Sequence, residues 1–299
     1  MARVTFPVAA FPSPHSGTVD LGPLTIHMYG LMLLAGIAVC IFVTGIRWVR
    51  LGGDWDLIFR VAVWGVAFGI IGARAYHVAT SWDEVDHKHW WGVFAVWQGG
   101  LGVWGGIGLG VLAGAVVVKL SGESVALFMD AVAPGLLLAQ GIGRWGNWWN
   151  QELYGKPTTL PWGLKIDIDH QGAIPEKYRN AAAYHPTFLY EFIYDIAAAG
   201  ILILIGWRFR IKPPGLFALY VSFYTFGRFF EELLRIDPAH HLFGLRLNAW
   251  VSIVLFVLST LFFIYWQFFH RASEPTGPGR RRDPIVIGQS MAIPKKRVR

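Results

Sequence analysis

Seven stretches of roughly 20 mainly apolar residues recur along the 299-residue chain, at about 28–49, 57–80, 99–119, 125–144, 187–206, 214–234 and 248–269. A helix needs about that length to cross the hydrocarbon core of a bilayer. Helices suit that solvent because each satisfies its own backbone N–H and C=O groups. Only 15% of the residues are charged, against about 25% in soluble domains, too few to solvate a surface. The chain therefore reads as an all-α polytopic membrane protein with about seven transmembrane helices. Its 54% apolar content excludes a disordered chain. The single Cys40 excludes a disulfide scaffold and a Cys-rich metal site.

Basic residues set the orientation. With the C-terminus cytoplasmic and the N-terminus outside, the inner segments hold Arg47, Arg50, Lys119, Arg208, Arg210, Lys212 and the basic tail. The outer segments hold Arg3, Lys88, Lys156, Lys165, Lys177, Arg179, Arg235 and Arg246, half of them in one long loop that counts for less. No charged n-region followed by a small-residue cleavage site precedes the first span, so no cleaved signal peptide is expected. The tail, 270–299, is rich in Gly, Pro, Lys and Arg without helical period and reads as disordered and cytoplasmic. Its charge suits anionic lipid headgroups; nucleic-acid binding is not expected.

Charges remain in the apolar stretches. Arg60, Arg74, Arg144 and Arg228 lie in or at the ends of spans, with Asp130, Glu191, Asp195, Glu231 and Glu232. A central Arg costs about 2.5–3.5 kcal/mol on insertion scales, so such residues persist where they pair, snorkel or function. Arg60, near the start of its span, suits snorkelling, and Arg74 is compatible with either role. Arg228 and Glu232 share a helix face at i,i+4, as do Glu191 and Asp195. Arg144 and Arg228 both fall near outer span ends. Two guanidiniums facing one outward pocket suit an anionic headgroup, because Arg grips phosphate bidentately. No G-x-S-x-G, H-E-x-x-H or phosphate-cradling G-x-x-x-x-G-K-[ST] is present, and no metal or cofactor is expected.

The densest polar stretch is 143–155, GRWGNWWNQELYG, which puts Arg144, Asn147, Asn150 and Glu152 among three glycines at a membrane edge. Its composition suggests an irregular re-entrant segment. Such backbone is tolerated at membrane depth only inside protein or beside a wet cavity, which makes the segment a binding site.

This stretch closely resembles the signature of the prolipoprotein diacylglyceryl transferases, roughly G-R-x-G-N-F-x-N-x-E-x-x-G. Gly143, Arg144, Gly146, Asn147, Asn150, Glu152 and Gly155 match it, while Trp148 and Trp149 replace Phe and a smaller apolar residue. Ile26-His27-Met28-Tyr29-Gly30 resembles the family's I-H-x-Y-G opening. His185-Pro186-Thr187-Phe188-Leu189-Tyr190-Glu191 resembles its H-P-[ST]-x-L-Y-E block. Arg228 to Arg235, RFFEELLR, followed by Asp237, resembles its R-F-x-x-E-x-x-R block. The resemblance runs from about residue 26 to 269. One departure stands out: Trp104, in GGLGVWGG, occupies a place where many members carry a His that is a candidate base.

The resemblance implies transfer of an sn-1,2-diacylglyceryl group from phosphatidylglycerol to the lipobox Cys thiol in the signal peptide of a preprolipoprotein. A thioether forms and glycerol-1-phosphate leaves, as the first step of bacterial lipoprotein maturation at the outer face of the cytoplasmic (inner) membrane. It implies a seven-helix catalytic domain over 28–269 with an outer loop 145–186, after an extracytoplasmic N-terminal segment 1–27. Arg144 and Arg228 are expected to stabilise the leaving phosphate. Glu152, His27 and His185 are candidate bases for the thiol, whose ordinary pKa is about 8.5. Glu232 is expected to orient Arg228, and Glu152 to hold Arg144 or the thiol. Tyr29, Asn147, Asn150, His185 and Arg235 are expected on the substrate side, with Gly155 allowing close backbone approach. Two other classes fit the intramembrane charges: a lipid or organic-anion transporter, and a non-catalytic receptor or scaffold. No internal repeat supports the first.

Overall fold

The computed structural model describes residues 11–22, 24–85, 89–96, 99–172 and 174–270. Within them run seven long helices: α1 (Met28–Arg50), α2 (Trp55–Thr80), α3 (Val103–Leu120), α4 (Val125–Trp149), α5 (Thr187–Arg208), α6 (Gly215–Leu234) and α7 (Leu247–Ile264). Six of the seven are long and apolar enough to cross a membrane; α6 is the exception, and it carries Arg228, Glu231 and Glu232 in its last two turns. Of the expected tail, 270–299, residues 271–299 lie outside the described residues, as do Arg3 and Lys88.

Local chemistry sets the helix limits. Asp54 caps α2 by accepting from Leu57 N at 3.0 Å, and Ser124 caps α4 by accepting from Leu127 N at 3.3 Å. Gly52 and Gly122, at φ 93° and 74°, turn the chain out of α1 and α3. The third span was expected from residue 99, but Gly99 and Gly100 sit at φ 86° and 69°, so the helix begins at Val103. The irregular stretch expected from 143 is also shorter. Helix α4 runs on through Arg144, Gly146 and Asn147 to Trp149, and Gly146 packs against Tyr29 without breaking it. A Cβ on Gly146 would lie 2.5 Å from the Tyr29 ring.

Helices α1 and α4 pack closely, as do α2 and α3. Small residues set the approach. Gly36 lies against the Ala139 backbone, and Gly135 against Cys40 and Thr44. Between α2 and α3, a Cβ on Gly72 would meet the Gly105 carbonyl oxygen at 2.3 Å, and one on Gly105 would meet that of Gly72 at 2.2 Å. A Gly72→Leu substitution should therefore force the pair apart and cost about 1–3 kcal/mol. Gly108→Ala, with nothing within 4 Å, should be neutral. Apparent Tm in detergent distinguishes the two, and equal Tm values would refute this account of the interface.

Helix α4 is the central span: half of its apolar window is buried, against 11% for α3 and for α7. Its Leu137 joins Ala198, Ala199 and Leu202 of α5 and Leu216 of α6 in one core. Outward-facing Phe42, Val63, Leu112 and Leu258 stay exposed, as lipid-facing positions must. Several charges are absorbed here. Arg47 donates to the carbonyls of Asp130 and Ala131, and Asp130 Oδ1 accepts from Phe217 N at 2.8 Å, capping α6 across the bundle. Arg74 donates to the carbonyls of Gly92, Val93, Gly99 and Gly100. It is a structural tie for the α2–α3 connection. Arg60 pairs with Asp56 at the surface.

Residues 150–172 and 174–186 form a folded cap over one end of the bundle. Tyr154, Leu164, Ile166, Ile174, Tyr184, Phe188 and Ile236 make its core. Strand β1 (Phe11–Pro12) pairs in parallel with β4 (Leu164–Lys165), and the hairpin of β2 (Thr18–Leu21) and β3 (Leu24–His27) leads into α1. Backbone bonds clip α4, α5 and α6 together beneath the cap: Gly155 N to His185 O at 2.9 Å, His185 N to Lys156 O at 3.0 Å, and Lys156 N to Leu234 O at 2.9 Å. Strands β5 (His241–Leu242) and β6 (Leu245–Arg246) turn the chain from α6 to α7.

Candidate active site

Arg144 sits two turns from the end of α4, Glu191 in the first two turns of α5, and Arg228 near the end of α6. The clip beneath the cap brings these helix ends together. Glu191 Oε2 lies 2.7 Å from Arg144 Nε and 3.6 Å from Arg228 Nη1. The Arg144 N–H is not aimed at this oxygen, so the contact is an ion pair without a directed hydrogen bond. Arg228 also donates to Glu231 Oε2 and to Glu232 Oε1, each at 2.5 Å. The two sequence-predicted guanidiniums thus do converge. The carboxylate between them is Glu191; Glu152, expected to hold either Arg144 or the thiol, reaches Arg144 only through Asn147.

Glu152 is exposed and accepts from the amides of Asn147, at 2.9 Å, and Asn150, at 3.3 Å. Asn147 Oδ1 accepts from Arg144 Nη1 at 3.4 Å, so a polar chain runs from Arg144 through Asn147 to Glu152. The turn that carries it is tight: Gln151 and Leu153 have φ of 50° and 58°. Gln151, fully buried, holds the turn by donating to Pro14 O and Asp167 Oδ2 and accepting from Asp167 N. That bond and one with His15 keep the Asp167 carboxyl below its ordinary range. Gly155 has the close approach expected of it: a Cβ there would lie 2.8 Å from His185 Cβ.

His185 Nδ1 is 3.1 Å from the Tyr190 hydroxyl, which also accepts from Trp162 Nε1. Burial and then the nearby Lys156 charge lower its pKa, which favours the neutral imidazole. His27 is exposed and precedes α1. Tyr29 is half-buried against Gly146. Trp104 lies in the first turn of α3 and is 69% exposed.

Glu232 is the hub of a second network. Its side chain is wholly buried; Oε2 accepts from Arg246 Nε at 2.5 Å, and Oε1 lies 3.5 Å from Arg235 Nη1. Arg235 and Arg246 both donate to Asp237. Burial pushes the Asp237 carboxyl up, but the hydrogen bonds and charges of these arginines outweigh it and hold it below its usual value. Buried charges are tolerated only when paired and hydrogen-bonded in this way. Glu232, the residue expected to orient Arg228, pairs with it, and Arg235 lies against the same carboxylate.

A cavity of about 300 Å³ opens beside the Arg–Glu cluster between α5 and α6, lined by Glu191, Asp195, Tyr224, Arg228 and Glu231 among others. A larger, more polar one of about 670 Å³ lies above it, between the cap and the α6–α7 turn, with Lys156, Arg179, Arg235 and Arg246 on its wall. The family described as prolipoprotein diacylglyceryl transferase matches residues 17–265. The chain belongs to this family. Among its relatives are three proteins named phosphatidylglycerol–prolipoprotein diacylglyceryl transferase. The chain is 50% identical to that of Frankia alni over 83% of its own length. It is 43% identical to that of Bifidobacterium adolescentis over 89%, and 46% identical to the second such transferase of Streptomyces coelicolor over 84%. The matches cover 65%, 83% and 78% of those proteins.

Within this diacylglyceryl transferase family member, sequence reasoning gave no role to Glu191, Asp195, Glu231 or Arg246. The signal for the first two was their i,i+4 spacing in an apolar span, which puts two costly carboxyls on one buried face. Nothing comparable marks Arg246. Its partners come from fourteen and nine residues away, across a turn.

Proposed function

We propose that this chain transfers the sn-1,2-diacylglyceryl group of phosphatidylglycerol to the lipobox Cys thiol of a preprolipoprotein, forming a thioether and releasing glycerol-1-phosphate. Family membership supports the reaction. The observation that carries its placement here is the convergence of Arg144 and Arg228 on Glu191, within 3.6 Å, beside a cavity between two helices.

A thiolate attacks the glycerol carbon and a phosphate ester departs with the bonding electrons. Its charge develops in a poorly hydrated place, where fixed guanidiniums stabilise it far more than water-exposed ones do. Glu191 sets the spacing of the two guanidiniums, and phosphate oxygens take their remaining N–H groups. Asn147 and Asn150, held by Glu152, present amides on the same side, with Tyr29 nearby. Arg235 and Glu232 keep Arg228 in register, and His185 with Gly155 shapes the cap above. This chemistry calls on no metal or cofactor.

In the membrane all seven helices span, α6 included, because its charges face protein partners. The N-terminus lies outside and the C-terminus in the cytoplasm, since Arg47, Arg50, Lys119, Arg208, Arg210 and Lys212 fall at the helix ends opposite the cap. The site then faces the extracytoplasmic side of the bacterial inner membrane. Residues 28–269 form the catalytic domain, 1–27 an outer segment and 270–299 the cytoplasmic tail. No observation favours the transporter alternative. The test is incubation of purified protein with phosphatidylglycerol vesicles and a lipobox peptide. Mass spectrometry should find a diacylglyceryl thioether on Cys with equimolar glycerol-1-phosphate. Lipid binding without product would overturn the reading.

A further inference from the structure

Asp195 lies one turn beyond Glu191 on α5 and is 1% exposed. It lines the same cavity as Glu191, Arg228 and Glu231. Among the described residues, neither of its oxygens has a hydrogen-bond partner. An ionised carboxylate in that state is costly, and its cost falls when it gains a proton. The facing charged and titratable groups are Arg144 on α4, Glu191 and Tyr194 on α5, and Tyr220, Tyr224, Arg228 and Glu231 on α6. The two arginines act on Asp195 only at a distance; their short contacts go to Glu191, Glu231 and Glu232. A proton on any of those three would loosen a guanidinium that the phosphate needs. Glu152 already accepts from two amides.

We infer that Asp195 is the proton acceptor for the substrate thiol, an inference that rests on the transferase reading above. The S–H bond breaks and its proton passes to the Asp195 carboxylate. The sulfur electron pair forms the S–C bond at the sn-3 carbon of the diacylglyceryl group. The C–O bond breaks, and its electron pair leaves on the phosphate oxygen. The phosphate gains one negative charge as Asp195 loses one, so the cavity carries the same net charge before and after. The proton is released to water before the next turnover.

The experiment compares wild type with Asp195→Asn and Asp195→Glu in phosphatidylglycerol vesicles, using lipobox peptides carrying Cys or selenocysteine. A selenol is already ionised at neutral pH and needs no base. With the Cys peptide, Asp195→Asn should lower kcat at least about a hundredfold, the low end of general-base contributions. Phosphatidylglycerol affinity should stay within about twofold. The residual rate should climb with pH towards the thiol's own pKa of about 8.5, more steeply than in wild type. Asp195→Glu should recover part of the rate. The selenocysteine peptide should bring Asp195→Asn within about tenfold of wild type. An equal deficit with both nucleophiles would mark Asp195 as structural and overturn the inference, as would an unchanged Cys rate in Asp195→Asn. Should Asp195→Asn not fold, Asp195→Glu decides by its pH profile: a profile identical to wild type overturns the inference. Absence of transfer by wild type is a different failure, that of the transferase reading itself.

Discussion

Arg144→Ala should abolish measurable diacylglyceryl transfer while leaving the protein folded. The guanidinium is mostly buried at the end of α4 and is the nearest cation to Glu191. Removing one preorganised group that meets a developing oxyanion costs about 10²–10³ in kcat. Here the loss should exceed that range, because Glu191 is left facing the phosphate with its nearer counter-ion gone. Arg144→Lys should rescue little. An ammonium places one point charge where the guanidinium reaches Glu191 through Nε and Asn147 through Nη1. The assay is thioether formation on a lipobox peptide, with circular dichroism and size-exclusion profiles as controls for folding. Activity within tenfold of wild type would remove Arg144 from the mechanism.

The largest stability effect is expected at Glu232. Its wholly buried carboxylate meets Arg228, Arg235 and Arg246. Glu232→Ala leaves these cations short of a shared counter-ion. Breaking a buried pair on one side costs about 3–5 kcal/mol, or roughly 10 °C in apparent Tm for a chain of this size. Glu232→Gln keeps one acceptor oxygen and the shape, and should lose less than half as much. Arg246→Met in the Glu232→Ala background should regain part of the loss, because one unpaired charge goes with it. Thermal unfolding in detergent checks the series. An additive double mutant would mean that Glu232 and Arg246 are not energetically coupled.

Much of the architecture was legible because bilayer length and backbone satisfaction act on every span alike. Apolar length alone located α1, α2 and α5 to within a few residues. Where glycine decided the outcome, composition misled. Gly143 and Gly146 suggested a break at the end of α4 but serve packing, as Tyr29 over Gly146 shows. Gly99 and Gly100 looked like part of a span but take positive φ and delay α3. The convergence of Arg144 and Arg228 was legible from charge cost and position. The identity of Arg144's partner was not. Glu152 is eight residues away in sequence and Glu191 forty-seven, and only the clip joining α4 to α5 makes the distant one near. The cap shows the same limit. The sequence marks it only as an outer loop, and the bonds of Gln151 to Pro14 and Asp167 that anchor it are long-range facts.

That clip also works as the fulcrum of a lever. A 20-residue helix is about 30 Å long. If α5 tilts against α6 about bonds at its capped end, one degree moves the far end by roughly 0.5 Å but a residue one turn from the fulcrum by only about 0.1 Å. Arg228 and Glu191 sit within two turns of that end. Such a tilt would move the far helix ends several times further than the charged groups, whose spacing the clip would keep nearly unchanged.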